Sequence, residues 1–160
     1  MKHLLRWIGL LSVAWLVLFR LAGEERSTES LWDEIYKSAW AGIFTDDQAA
    51  RGESSYRAGC ASCHGASLEG SDDAPPLAGR DFTYEWNCAN IADLFETIQY
   101  TMPADRPGQL SENQIAEILS YILKVNHFPA GSSVLPPSAD ELRGILFFAQ
   151  NPSQWALLPR

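Results

Sequence analysis

The sequence predicts an all-α protein, and three observations carry that reading. Segments open on helix-capping signatures, apolar residues recur behind them three and four positions apart, and no run alternates apolar and polar residues as a half-buried strand does. At 160 residues the chain is long enough for one domain plus a leader.

The elements follow in chain order. Lys2 and Arg6 precede an apolar run over residues 8–19, which Arg20 closes. That is the charged-then-apolar pattern of a secretory signal, shorter than the roughly 20 residues that span a bilayer comfortably. Residues 1–23 therefore read as a signal peptide. An uncleaved anchor with snorkelling basic residues is the rival reading, and it would attach the protein to a membrane. Residues 24–41 read as a polar tether and a short amphipathic helix, because Trp32, Ile35, Tyr36, Ala39 and Trp40 share one helical face. Thr45-Asp46-Asp47-Gln48 has capping-box spacing and opens a helix through Ala58. Residues 70–79, rich in Gly, Pro and Asp, form an irregular loop. Asn90 caps a helix over residues 91–100 whose inner face is Ile91, Leu94, Phe95 and Ile98. Ser111-Glu112-Asn113-Gln114 opens another, burying Ile115, Ile118, Leu119 and Ile122 and ending near Asn126. Ser138-Ala139-Asp140-Glu141 opens a last helix, expected to run to about Ala149.

The chemistry lies in Cys60-Ala61-Ser62-Cys63-His64. Two thiols on one helical turn with an adjoining imidazole are the attachment pattern of a c-type haem. Cys60 and Cys63 become thioethers and His64 the proximal iron ligand. A thioredoxin-like pair would follow a buried strand, and a zinc site would need further ligands; beyond the motif the chain offers only Cys88, His3 and His127. Haem attachment in bacteria takes place outside the cytoplasmic membrane, so the body of the protein is expected in the periplasm, in agreement with the leader.

Met102 is the candidate sixth ligand. The only other methionine is Met1, and Pro103 stiffens the backbone beside Met102. A thioether favours ferrous iron, raising the reduction potential and suiting outer-sphere electron transfer. Arg80 and Trp86 are candidate donors to haem propionates. Phe82 and Tyr84 read as core, and Cys88 as a buried, unreactive thiol. His127, after a helix, reads as an ordinary residue. A net charge of −8 disfavours nucleic acid as a partner and suits a redox protein with a basic docking patch.

Residues 48–128 resemble a class I cytochrome c. Gly52 and Tyr56 match the family's Gly-x-x-x-aromatic pattern, in which the glycine lets the first helix cross closely over the last. Tyr121 matches the aromatic position on that later helix. Pro75-Pro76-Leu77 is similar to the family's proline loop, whose carbonyl orients the proximal imidazole, with Pro75 the better match. The resemblance implies a cytochrome c fold, short helices wrapped around one covalently bound haem c, and it carries over no catalytic residue. It sets the domain at residues 42–128, with residues 129–160 an extension packing on it. Gly42-Ile43-Phe44-Thr45, Gln48-Ala49-Ala50-Arg51-Gly52, Asp93-Leu94-Phe95, Thr101-Met102-Pro103, Pro107-Gly108 and residues 126–131 are similar to a narrower group. These are cytochrome c domains associated with bacterial pyrroloquinoline-quinone dehydrogenases. That resemblance implies electrons carried from a dehydrogenase donor toward a terminal oxidase. A permanent haem subunit of a dehydrogenase complex and a five-coordinate gas sensor are the alternatives.

Overall fold

A computed structural model describes residues 37–152, all within the larger of two compact units, Tyr36–Arg160. The leader, the tether and three residues of the expected amphipathic face, Trp32, Ile35 and Tyr36, lie outside the described residues. Among the described residues no helix is long and apolar enough to cross a membrane.

The domain is mostly helical, the class that the sequence leads one to expect. Helix α1 (Asp46–Gly59) runs into the short α2 (Ala61–His64). Then come α3 (Arg80–Glu85), α4 (Ile91–Thr101), α5 (Glu112–Val125) and α6 (Ala139–Leu142). Local chemistry explains most of the boundaries. Asn90 and Ser111 each accept from the backbone N–H three residues on, and the side chains of Asp93 and Gln114 return the bond to the cap. At the far end of α5, His127 N–H donates to the Lys124 carbonyl and Phe128 N–H to the Leu123 carbonyl. This is a Schellman closure with His127 in the left-handed region at φ 67°.

The core lies where α1, α4 and α5 meet. All eight apolar positions expected on the inner faces of α4 and α5 are buried. Each such side chain stabilises the fold by about 1.5–3 kcal/mol. Helices α1 and α5 cross in close contact at Gly52, where any Cβ would overlap the Glu117 carbonyl. Next to the crossing, the rings of Tyr56 and Tyr121 lie 5.4 Å apart.

The structure corrects several expectations. Residues 37–41 are not part of an α-helix: Lys37–Ser38 form a strand, β1, and Ala39–Ala41 a 3-10 turn. The last helix stops at Leu142, and Ile145–Leu146 form β2, which pairs with β1 in parallel. The reason is competition for the backbone. Phe147 N–H donates to the Ala89 carbonyl and Phe147 O accepts from Cys88 N–H, both at 2.8 Å. An extended chain over a β-prone Ile-Leu-Phe-Phe run gains partners that a helix would forgo. Helix α3 was not foreseen at all. Tyr84 is 55% exposed rather than core, whereas Phe82 is buried as expected. Cys88 is exposed, with φ 68° on the loop between α3 and α4, not a buried thiol.

The extension and the lead-in strand pack on the domain together. Trp40 donates its indole N–H to the Phe148 carbonyl at 2.8 Å and stacks on Phe128, which meets Phe147 at 4.8 Å. Gly131 N–H donates to the Phe44 carbonyl, and its backbone lies too close to that of Gly42 for a Cβ on Gly131.

Candidate haem-binding site

The motif's two cysteines flank the start of α2. Cys60 ends α1, its N–H bonded to the Tyr56 carbonyl, and its own carbonyl accepts from Cys63 and His64 N–H at 3.1 and 2.9 Å. The turn is therefore helical, which sets both sulfurs and the imidazole on one side. Both thiols are free, Cys60 partly buried and Cys63 exposed. Burial raises the Cys60 thiol above its ordinary range, and the neighbouring Cys63 adds to the effect.

His64 is buried, with Nδ1 2.8 Å from the Pro75 carbonyl. A carbonyl can only accept, so Nδ1 carries the proton and the lone pair of Nε2 is left for a metal. This is the bond expected of Pro75. Free thiols on one turn and an imidazole already held in the metal-binding tautomer fit haem c.

The loop that supplies Pro75 folds back on the motif. Gly70 N–H donates to the His64 carbonyl at 2.8 Å, the Ser71 hydroxyl to the Cys63 carbonyl at 2.7 Å, and Leu77 N–H to the Leu68 carbonyl at 2.9 Å. Behind it, the Tyr56 hydroxyl donates to the Gly65 carbonyl at 2.7 Å, and burial holds that phenol well above its usual range.

Met102 ends α4, partly buried against the core. Pro103 and Gly59, the sequence neighbours of Met102 and Cys60, line one open cleft of about 470 Å³, with Arg106, Leu110 and Gln114 among its walls. The methionine loop thus borders the attachment end of α1. Arg80 is exposed at the start of α3, its guanidinium 5.4 Å from the centre of the Tyr84 ring. Trp86 is half-buried, its ring 6.4 Å from that of Phe82. His127 is exposed, its backbone occupied in closing α5.

Two buried polar residues were missed in the sequence. The Gln48 side chain does not return to its cap; it donates to the Leu135 carbonyl at 2.9 Å and accepts from Leu135 N–H at 2.8 Å. The Asn126 amide holds Leu77 and Gly79 of the proline loop. Both bonds reach across more than 45 residues, and no local signal announces them.

Residues 47–122 match the family described as cytochrome c oxidase, cbb3-type, subunit III. The cbb3-type cytochrome c oxidase subunit CcoP of Azospirillum brasilense is 33% identical over 93 residues, covering 48% of this chain and 30% of the relative. Its counterpart from Azospirillum sp. (strain B510) is 30% identical over the same length and coverage. The chain thus spans under a third of the length of these relatives. Among solved structures, the sulfane dehydrogenase SoxCD from Paracoccus pantotrophus aligns with a TM-score of 0.46 at 20% identity, over 76% of this chain and 66% of that one. The two Azospirillum relatives are oxidase subunits, whereas the motifs resemble the dehydrogenase-associated group. What the two share is coarser than either: residues 47–122 are similar to a cytochrome c domain, the kind that carries covalent haem c, and Cys60 and Cys63 fit that attachment.

Proposed function

We propose that this protein is a single-haem electron carrier working outside the cytoplasmic membrane. Cys60 and Cys63 are its thioether anchors, His64 the proximal ligand and Met102 the distal one. The observation that carries the reading is the helical Cys60–His64 turn whose imidazole already gives its Nδ1 proton to Pro75.

Haem c supplies one-electron chemistry at its iron. The chain's residues tune and protect that chemistry. Pro75 fixes the tautomer of His64 and strengthens it as a ligand. Met102 brings a soft thioether that raises the reduction potential and shuts oxygen and peroxide out of the sixth position. Arg80 and Trp86 offer a guanidinium and an indole N–H to the propionates.

Likeness to oxidase subunits supports a partner on the oxidase side as electron acceptor. The resemblance to quinoprotein-associated domains supports a dehydrogenase as donor. A second reading, a resident haem subunit of a larger complex, is favoured by the likeness to two proteins that are themselves oxidase subunits. Purification from native membranes separates the two: a shuttle comes away alone, and a resident subunit stays with its complex.

Mass spectrometry of protein matured with a haem-ligation system should show one porphyrin adduct. Met102→Ala should abolish the weak sulfur-to-iron charge-transfer band of the ferric protein and lower its potential. An unchanged band and potential would remove Met102 from the ligand set.

A further inference from the structure

We infer that Asn126 is a positioning residue for the proximal imidazole, and so sets the reduction potential from the far side of the proline loop. The inference rests on the haem reading above and adds a residue to it.

The near half of the loop over residues 65–79 is closed onto the attachment motif by Gly70, Ser71 and the Leu68–Leu77 pair. Its far half, at Leu77 and Gly79, is also tied to α5 by one side chain. Asn126, the C-cap of α5 and 7% exposed, donates from Nδ2 to the Leu77 carbonyl at 2.9 Å and accepts on Oδ1 from Gly79 N–H at 3.0 Å. The same Nδ2 donates to the Ile122 carbonyl at 2.9 Å, so the amide is locked to its own helix. This task calls for two donors and an acceptor in one plane. A primary amide has them, a carboxylate lacks the donors, and an aliphatic side chain lacks all three.

Pro75 lies two residues before Leu77, and its carbonyl is the acceptor for His64 Nδ1. Helix α5 therefore fixes, through Asn126, the loop that presents this carbonyl. Releasing the clamp lets the carbonyl drift and weakens the Nδ1–H bond. The imidazole then donates less electron density, and ferric iron loses support relative to ferrous.

The test uses the full haem-loaded chain with Asn126→Ala, the milder Asn126→Ser, and Ser120→Ala. The last removes another buried hydrogen bond of α5, from Ser120 Oγ to the Ala116 carbonyl, without touching the loop. Both Asn126 variants should shift the potential positive and move the His64 ring N–H resonance of the ferrous protein upfield. Ser120→Ala should leave both readouts at the wild-type position. Haem-loaded Asn126 variants with wild-type potential and ring N–H shift overturn the inference. So does failure of both variants to take haem when wild type does, since the residue then serves only the fold. A wild-type chain that matures without porphyrin overturns the haem reading itself, and this inference with it.

Discussion

At the scale of single residues, Gly52 and Tyr56 show how the site depends on small groups. A methyl at position 52 would have to displace the Glu117 backbone carbonyl, forcing α1 and α5 apart. Gly52→Ala is expected to destabilise the domain by about 1–3 kcal/mol, the usual cost of overpacking, read as a lower denaturant midpoint. Tyr56 gives a pH signature. Its phenol is buried and bonded to the Gly65 carbonyl, so its folded pKa lies above the unfolded value near 10. The folded state then holds its proton more tightly than the unfolded state does. The contribution is complete below pH 10 and is lost as the pH rises beyond it. Stability should fall above about pH 10, with a shallower slope in Tyr56→Phe, measured by denaturation at several alkaline pH values. Arg51 and Glu117 also bridge the crossing at 2.5 Å, but Arg51 is half exposed and the pair is worth at most about 1 kcal/mol.

At the scale of elements, the crossing of α1 and α5 and the strap formed by the extension do different work. The crossing holds the attachment motif and, through Asn126, the proline loop. The strap is tied to α1 by Gln48, whose amide satisfies both backbone groups of buried Leu135. Gln48→Ala leaves those groups buried and unpaired, which costs about 1–3 kcal/mol for each group. The expected outcome is a lower melting temperature together with faster hydrogen exchange at the Leu135 amide. Helices α4 and α5 were legible in the sequence because their caps and apolar periods are local. Helix α3 was not, since six residues between a loop and a half-buried tryptophan present no periodic face. The final helix was overread: Ser138-Ala139-Asp140-Glu141 does start one, but Gly144 and the pairing of Phe147 with residues 88 and 89 end it early.

At the scale of the molecule, the extension is part of the domain's core. Leu135, Leu142, Ile145 and Phe147 are all buried, and Phe147 meets both Phe82 and Phe128. Their combined burial, at about 1.5–3 kcal/mol each, rivals the roughly 5–15 kcal/mol net stability of an ordinary domain. A chain ending at Phe128 should therefore show no cooperative thermal transition by circular dichroism. A sharp transition near that of the full chain would make the extension an appendage.

The helical class, the thiol pair and imidazole on one turn, and the inner faces of α4 and α5 can all be read from the chain alone. Each is written within a few residues, through cap chemistry, spacing and the 3.6-residue period. That Gln48 ties down Leu135, that residues 145–147 extend rather than coil, and that Asn126 bonds the loop presenting Pro75 emerge only when the chain folds. Those outcomes turn on which distant backbone group comes within hydrogen-bond reach. A polar side chain buried by folding takes the partner that the fold delivers, and its neighbours in sequence do not reveal which one that will be.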